Sequence, residues 1–261
     1  MRAKSAIQLV SKTTIQFLPI ILLIGFIHQA HAQIQSGGKP LLISDIDDTI
    51  RPTHILNAVD KYTNQLTTDQ FLGMSSLYRL IEKQNPGLII YYVTNAPTAY
   101  GLNFLPALYL YNNNFPQQEN LSLKDDPTAV DIEKKVPRIV QLIENFRPNK
   151  LILIGDNGQV DVGVYQKIRK LYPQIPTEIY IHQVYSVKSK NEIGAALAQG
   201  QVGFVSSLDI AIDLFRKDLI KENGLVWLTQ KISAQMLAEN YVGGFGDAAF
   251  YSWMDCRDYL F

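Results

Sequence analysis

Hydrophobic and polar positions along the chain form blocks that predict strands and helices in alternation. Short apolar runs that end on polar residues are typical of buried strands in a parallel sheet. We predict such strands at residues 41–43, 88–93, 121–123, 151–154 and 178–181, with a further short strand at 202–205. Between them, apolar residues at helical spacing predict helices at 68–83, 97–111, 132–145 and 161–172.

The order of these elements predicts an α/β fold. Strands that alternate with helices form βαβ units, and their crossovers place helices on both faces of a parallel sheet. Residues 51–68 are mixed and polar, so we expect a loop or small flap over the end of the first strand. After residue 187 the pattern weakens. Predicted helices at 208–221 and 226–240, followed by an aromatic tail, indicate a helical extension.

The beginning of the chain has the three parts of a secretory signal peptide. Three basic residues, Arg2, Lys4 and Lys12, precede an apolar run at 17–27, and a small-residue cleavage signal follows at 30–32. The apolar run is too short to span a bilayer comfortably, and an uncleaved membrane anchor is the alternative. We therefore expect the protein to be exported, into a periplasm or the surrounding medium.

Composition and charge limit the classes of function. The chain has 261 residues, 24 of them basic and 24 acidic, with 47% hydrophobic residues, which suits one α/β domain with an appendage. We divide it into a signal peptide at 1–32, an α/β domain at 33–205 and a helical extension at 206–261 that packs on the domain. The formal charge after residue 32 is −3, and without a basic cluster we expect no nucleic-acid partner. A single cysteine excludes an internal disulfide.

The most informative polar residues follow the first predicted strand. Asp45, Asp47, Asp48 and Thr49 come directly after its apolar residues. In open α/β sheets, ligands bind outside the carboxyl ends of the strands. Carboxylates this close repel one another, and a bound Mg²⁺ relieves the repulsion. A calcium-binding EF-hand loop is excluded, because the glycine and the acid required at its sixth and twelfth positions are missing.

Further polar residues belong to the same predicted edge of the sheet. Thr94 and Asn95 follow the second strand, and Asp156 follows the fourth, with Asp161 five positions later. Lys135 lies on the helix that precedes the fourth strand. Two acids on separate strands, a hydroxyl group and a lysine meet the requirements of phosphoryl transfer, which uses an attacking carboxylate, metal ligands and donors to the phosphoryl oxygens.

These motifs resemble those of the haloacid dehalogenase (HAD) superfamily of phosphatases. The shared pattern is Asp-x-Asp-x-Thr, then Thr, then Lys, then Gly-Asp-x-x-x-x-Asp. More closely, residues 44–50, 92–97, 151–161 and 179–181 resemble the catalytic domain of the actin-patch-associated phosphatidate phosphatase family, over roughly residues 40–185. The resemblance implies a HAD-like Rossmannoid fold of three layers, with a central parallel sheet and a minimal cap.

The resemblance also implies catalytic and metal-binding roles. Asp45 would be the nucleophile and form an aspartyl-phosphate. Asp47 would protonate the leaving oxygen and then activate water, and the neighbouring acids would favour its protonated form. Mg²⁺ would be held by Asp45, by the main-chain carbonyl of Asp47 and by Asp156.

Other residues would bind the phosphate or support the site. By the same resemblance these are Thr94, Asn95, Lys135, Thr49 and Asp161. Asp161 would support the metal site or orient the lysine. Lys135 is preferred over Lys134, since Ile139 and Ile143 follow it at i+4 and i+8 on the inward face of the helix.

Three residues depart from the family pattern. Asn157 and Gln159 stand where we expect Ser and Glu, and His182 stands where the last strand usually has Arg. None of them removes the nucleophile, the acid or a metal ligand. They leave the choice of substrate open.

The resulting hypothesis is an exported, Mg²⁺-dependent phosphomonoester hydrolase. Its partner would be a phosphorylated small molecule or lipid, with phosphatidate as the substrate that the resemblance implies and transient contact with a membrane surface. The segment between residues 49 and 94 is too short for a large cap, which suits bulky or interfacial substrates. Two alternatives stay open: a non-catalytic binding or scaffold protein on the same fold, and a phosphatase for a soluble sugar phosphate or nucleotide.

Overall fold

Six parallel strands form one sheet in the computed structural model, which describes residues 38–97, 104–124, 132–241, 251 and 253–259. The predicted signal peptide, residues 1–32, lies outside the described residues. The strand order is β3-β2-β1-β4-β5-β6, with every neighbouring pair parallel. The strands are β1 (Pro40–Ser44), β2 (Ile89–Pro97), β3 (Leu121–Lys124), β4 (Lys150–Asp156), β5 (Thr177–His182) and β6 (Val202–Phe204).

Helices connect these strands and cover the sheet. They are α1 (Asp60–Thr63), α2 (Met74–Gln84), α3 (Leu105–Asn112), α4 (Ile132–Phe146), α5 (Asp161–Leu171), α6 (Ser207–Arg216) and α7 (Glu222–Tyr241). A 3₁₀ turn at Asn64–Leu66 follows α1, and another lies at Arg257–Tyr259. In the part of the chain that the structure describes, every helix is too short or too polar to span a bilayer.

Two hydrophobic clusters lie on opposite faces of the sheet, because successive side chains of a strand point to opposite sides. On one face, Leu42, Ile90 and Ile152 pack with residues of α2, α6 and α7. On the other, Ile43 and Leu153 pack with residues of α4 and α5. The predicted α/β fold, with a central parallel sheet between two helical layers, is confirmed.

Several predicted helix limits were wrong. The helix expected from residue 68 begins at Met74, because Gly73 adopts a left-handed conformation with a φ of 77° and ends the preceding turn. The helix expected at 208–221 ends at Arg216, where the chain turns through Asp218 with a φ of 58°. The following helix begins at Glu222 rather than at residue 226.

The second strand is longer than predicted. It continues to Pro97, which pairs with Lys124 of β3 after a register shift beyond Val93. Thr94 and Asn95 therefore lie within β2 rather than in a turn after it. Of the helix predicted at 97–111, residues 98–103 lie outside the described residues, and Leu105–Asn112 is observed as α3.

The strand order places the candidate site at the centre of the sheet. β1 pairs with β2 on one side and with β4 on the other, so the connections turn in opposite directions from β1. The crevice at such a switch point, outside the carboxyl ends of the strands, is where α/β sheets bind ligands. The Asp45 segment and Asp156 meet there.

Candidate active site

Asp45 lies at the carboxyl end of β1, between β2 and β4. Its main-chain N–H donates to the carbonyl of Ile154 at 2.9 Å, which continues the pairing with β4 for one more residue. Its side chain is buried, and Oδ1 accepts a hydrogen bond from Nζ of Lys135 at 2.7 Å. Thr49 donates to the other oxygen, Oδ2, at 3.3 Å. The carboxylate is therefore fixed from two sides.

Lys135 reaches this position from α4 and joins two acids. Besides Asp45, its Nζ donates to Oδ1 of Asp161, the first residue of α5, at 2.6 Å. The lysine is 1% exposed. Burial lowers its pKa, but the carboxylates of Asp161 and Asp45 together outweigh burial, and the pKa is raised above its usual value. Lys135 is therefore a permanent cation between the two acids.

Asp156 completes a cluster of three buried carboxylates with Asp45 and Asp161. One oxygen from each lies within 4.8 Å of the others. Oδ1 of Asp156 accepts from the main-chain N–H groups of Gly158 at 2.6 Å and Gln159 at 3.2 Å, which fixes the carboxylate and leaves Oδ2 for a ligand. Burial first, then the neighbouring acids, raises the pKa of Asp156.

The charges of this cluster suit a divalent cation. Burial raises the pKa of Asp45, and the negative charges of Asp161 and Asp47 raise it further. The positive charge of Lys135 acts in the opposite direction and lowers this pKa. With all groups ionised, three carboxylates and the ammonium of Lys135 leave two negative charges, which one divalent ion would neutralise. Opposite oxygens around Mg²⁺ are about 4 Å apart. Small side-chain rotations would therefore bring the three carboxylate oxygens, which lie within 4.8 Å of one another, to distances that suit one ion. The oxygen donors fit Mg²⁺.

The side chain of Asp47 lies outside this cluster and pairs with an arginine. Oδ1 accepts from Nε of Arg51 at 3.0 Å and from its terminal nitrogen at 2.5 Å. Thr94 donates to Oδ2 at 3.2 Å. The sequence predicted only neighbouring acids around Asp47 and did not predict this buried guanidinium. The metal role predicted for Asp47 concerned its main-chain carbonyl and not this side chain.

The third acid of the motif, Asp48, shapes the loop. It is buried, with a φ of 54°, and its carboxylate accepts from the main-chain N–H groups of Thr53, His54 and Ile55 at 2.7–2.9 Å. The hydroxyl of Tyr185 donates to it as well. These bonds hold the segment after β1 in a tight turn, so Asp48 is structural.

Two of the three departures from the family pattern are also structural. The side chain of Asn157 accepts from the main-chain N–H groups of Val184 and Tyr185 at 3.1 Å and donates to the carbonyl of Tyr185 at 2.6 Å. His182 is fully buried, with Nδ1 2.8 Å from the carbonyl of Asp48 and the ring stacked on Phe204. Both residues tie the end of β5 to the loops around the site.

The structure brings the predicted residues together in two groups. Asp45, Lys135, Asp156, Asp161 and Thr49 form the first, and Asp47 with Thr94 forms the second. Asn95 follows Thr94 and binds Arg138 of α4 through Oδ1 at 2.8 Å. These last contacts, and the pair of Asp47 with its arginine, were missed from the sequence. Of these contacts, only the pair of Asp47 and Arg51 could have been suspected from the sequence, because the two residues are four positions apart.

One protein family matches most of the described α/β domain. The family described as phosphatidate phosphatase APP1, catalytic domain, matches residues 41–183. This match runs from β1 to the residue after β5 and includes every residue of both groups. It confirms the resemblance to phosphatidate phosphatase catalytic domains.

A more distant relative and two solved structures are also similar to the chain. An uncharacterised protein of Schizosaccharomyces pombe is 26% identical over 161 residues, which is 56% of this chain and 25% of that protein. The chain thus spans about a quarter of the length of this curated relative. The class C acid phosphatase from Bacillus anthracis aligns with a TM-score of 0.37 and 15% identity. Its tungstate-bound form gives 0.36 and 17%, and each alignment covers 74% of this chain and 84% of the other. With TM-scores below 0.5, neither structure bears on the function of this chain.

Proposed function

The chain belongs to the family of the catalytic domain of phosphatidate phosphatase APP1, and from this membership we propose a Mg²⁺-dependent phosphomonoester hydrolase that works through an aspartyl-phosphate. The arrangement around Asp45 carries the proposal. A buried carboxylate at the end of β1 is held by Lys135 at 2.7 Å and lies within 4.8 Å of Asp156 and Asp161. A nucleophile, a cation and a set of metal ligands thus converge on one point.

The proposed reaction has two displacements at phosphorus. In the first, a carboxylate oxygen of Asp45 forms a bond to phosphorus while the bond to the leaving oxygen breaks, and Asp47 gives that oxygen its proton. In the second, Asp47 takes a proton from water, whose oxygen attacks phosphorus and releases Asp45 and inorganic phosphate. Lys135 and Thr94 stabilise the phosphoryl oxygens as charge moves onto them.

The proposed Mg²⁺ would be held by Asp45, Asp156 and the main-chain carbonyl of Asp47, with Asp161 beside them. A bound cation neutralises charge on the phosphoryl oxygens. On the protein side, the acids keep the site negative enough to retain the ion, and the fixed Oδ1 of Asp156 presents the other oxygen to it. The carboxylate of Asp47 pairs with Arg51 and would take no part in holding the ion.

We propose a lipid phosphate, phosphatidate, as the substrate. The family supports this choice, and so does the segment between β1 and α2, which exposes three apolar side chains: Val59, Tyr62 and Leu66 are 69%, 64% and 69% exposed. Arg51 donates to the carbonyl of Gln65 at 3.3 Å, so this segment lies beside the site. Apolar side chains at the mouth of an open site suit transient contact with a lipid surface.

The test is a phosphate-release assay of the chain from Gln33 onward. Phosphatidate in mixed micelles is compared with an aryl phosphate and with soluble sugar phosphates. We expect release to require Mg²⁺, to stop in EDTA and to fall at least about 1,000-fold in Asp45→Asn. The control is Asp69→Asn, which neutralises an exposed acid on the same segment.

Each outcome of this assay has a distinct meaning. Activity that survives in Asp45→Asn would discard the aspartyl-phosphate. Release from soluble esters alone would keep the chemistry and replace the lipid substrate. A wild-type chain that is folded, binds Mg²⁺ and releases no phosphate from any ester would favour the scaffold alternative.

We also propose that the protein is exported, on the pattern of residues 1–32. Cleavage after Ala32 would make Gln33 the first residue of the mature chain. Mass spectrometry of the protein from periplasmic and culture-medium fractions tests this. Recovery of only the full-length chain from the membrane fraction would indicate an uncleaved anchor instead.

A further inference from the structure

Arg138 occupies α4 one turn after Lys135 and binds the end of the second strand. Its guanidinium donates to the carbonyl oxygens of Thr94 at 3.0 Å and Ser122 at 3.1 Å. A third bond, at 2.8 Å, goes to Oδ1 of Asn95. The planar fork of an arginine can reach three oxygens at once, which the single ammonium of a lysine cannot do in fixed directions. One helix therefore holds both the nucleophile and the part of β2 that contains Thr94 and Asn95.

The bond to Asn95 determines which way its amide faces. Because Arg138 carries only donors, the atom that it contacts is the oxygen, and Nδ2 points in the other direction. Asn95 is 9% exposed, and among the described residues Nδ2 has no hydrogen-bond partner. Buried donors without partners are rare in folded proteins and ask for a specific explanation. A ligand that accepts a hydrogen bond would provide one.

The position of Asn95 indicates where that ligand lies. Ser44 of β1 is level with Tyr92 of β2, so Asp45 is level with Val93 and Asn95 lies two residues farther toward the mouth. Two residues of a strand advance about 7 Å. α4 contacts both side chains, through Lys135 and Arg138, so both lie on the α4 side of the sheet. A phosphoryl group attached to Asp45 would stand in the space between them.

We propose that Arg138 is a positioning residue, which fixes the amide of Asn95 so that Nδ2 donates to an oxygen of the substrate phosphoryl group. This inference rests on the proposed function, and it adds a residue that acts through another and does not itself touch the substrate. It also gives a role to the cation that follows Lys135 at i+3 on α4. Lys135 fixes the nucleophile, and Arg138 fixes a neutral donor that faces the group under attack.

The test measures the binding of inorganic phosphate to the chain in the presence of Mg²⁺, by isothermal titration calorimetry. Arg138→Lys keeps the positive charge and removes the fork. We expect it to weaken phosphate binding roughly tenfold, the effect of one lost hydrogen bond to a charged group, with Arg138→Gln at least as weak. KM for the aryl phosphate should rise together with this dissociation constant.

Arg169→Gln is the matched control. Arg169 also donates to main-chain carbonyls of three residues, Thr177, Gln199 and Gly200, but Thr177 begins β5 and lies at the opposite end of the sheet from the site. We expect this variant to bind phosphate as the wild type does. An equal loss in Arg169→Gln and Arg138→Lys would show a general effect of losing an arginine and would overturn the proposal.

A double-mutant cycle separates positioning from a structural role. If Arg138 acts through Asn95, then Arg138→Lys should change phosphate binding less than twofold in an Asn95→Ala background. A tenfold loss in that background would overturn the proposal, because the arginine would then act without the amide. This comparison uses Arg138→Lys, so it holds even where Arg138→Gln fails to fold.

The failure of this inference differs from the failure of the proposed function. A wild-type chain that hydrolyses the aryl phosphate, with an Arg138→Lys variant that binds phosphate equally well, would overturn the positioning role alone. A wild-type chain that neither binds nor releases phosphate would overturn both.

Discussion

The charged residues of the candidate site form two sets, and only one of them is electrically balanced. Asp47 and Arg51 form a neutral buried pair, which requires no further ion. Among the residues that the structure describes, Lys135 is the one cation paired with the cluster of Asp45, Asp156 and Asp161. Buried charges are stable only when paired, so the cluster around Asp45 depends on its lysine and would gain from a cation.

Replacing Lys135 with methionine should destabilise the protein and inactivate it. The side chain keeps its length, but Asp45 and Asp161 lose a buried cation at 2.7 and 2.6 Å. We expect the free energy of unfolding to fall by about 3 kcal/mol without metal, as for other broken buried pairs. Phosphate release should fall about 100-fold. Urea denaturation and the aryl phosphate assay measure the two effects.

The neighbouring lysine provides the control for this substitution. Lys134 lies one position earlier on α4, outside the acidic cluster, so Lys134→Met should change stability by less than about 0.5 kcal/mol and leave activity intact. Equal effects of the two substitutions would contradict the preference for Lys135 over Lys134, which was based on the apolar residues at i+4 and i+8.

His182 should make stability depend on pH between about 4 and 6.5. Burial lowers its pKa to about 4, whereas an unfolded histidine has a pKa near 6.5. As the pH falls through this window, the unfolded chain binds a proton that the folded chain does not bind, so stability decreases. The slope is about 1.4 kcal/mol per pH unit.

A comparison with His182→Gln isolates this contribution from that of the acids. Between pH 7 and pH 5 the wild type should lose about 2 kcal/mol more than the variant in urea denaturation. Parallel losses in the two proteins would show that the ring is charged in the folded state or is not buried there.

The residues of the site were predictable to different degrees. Asp45 and Asp156 end predicted strands, so a sheet of parallel strands places them together from sequence alone. Asp161 was predicted to support the metal site or to orient the lysine, and in the structure it contacts Lys135. Its further contact with the main-chain N–H of Asp156 was not predicted. The role of Arg138 depends on how α4 crosses β2, which the spacing of residues along one helix does not determine.

Among the elements, the strands of the sheet centre were predicted best. Buried strands have continuous apolar runs, and 151–154 lies within the observed β4. β2 was predicted to stop at Val93, since Thr94 and Asn95 are polar, yet pairing with β3 extends it to Pro97. Local pattern marks where apolar residues end, whereas hydrogen bonds to a neighbouring strand decide where a strand ends.

The close packing of α5 on β4 makes Gly155 a sensitive position. A Cβ atom there would lie 2.3 Å from Oδ2 of Asp161 and 2.7 Å from the ring of Tyr165. Gly155→Ala should therefore push α5 away from β4 and draw Asp161 away from Lys135. We expect a loss of about 2 kcal/mol in stability, measured by thermal unfolding, together with lower phosphate release.

Gly163→Ala tests whether this effect is specific. Gly163 lies in the same helix, and among the described residues the nearest atom to its added Cβ would be Cδ1 of Ile132, the flexible end of a side chain, at 2.9 Å. Alanine favours a helix by up to about 1 kcal/mol over glycine, so stability should stay level or rise. Equal losses in both variants would contradict a direct clash with Asp161.

At the scale of the whole molecule, His54 joins parts of the chain that are far apart in sequence. Its ring nitrogens lie 2.7 Å from carboxylate oxygens of Asp60 and Glu192, and its ring stacks on Trp253 at 4.3 Å. The main-chain N–H of Asp255 donates to the carbonyl of Val184 at 2.8 Å. The extension was expected to pack on the domain, but the aromatic tail had no periodicity from which its partners, such as His54 and Val184, could be predicted.

Trp253→Ala should show how much the described tail stabilises the loop around the site. The indole stacks on His54 and lies near Tyr185 and Tyr251, and its loss should lower the free energy of unfolding by about 2 kcal/mol. Trp227→Ala is the control, because Trp227 is 44% exposed on α7 and its ring contacts the ammonium of Lys231. The loss of this ring should change the free energy of unfolding by less than about 1 kcal/mol. Urea denaturation of both variants makes the comparison. Since His54 belongs to the turn that Asp48 holds, a Trp253→Ala protein as stable as the wild type would mean that this turn keeps its shape without the tail.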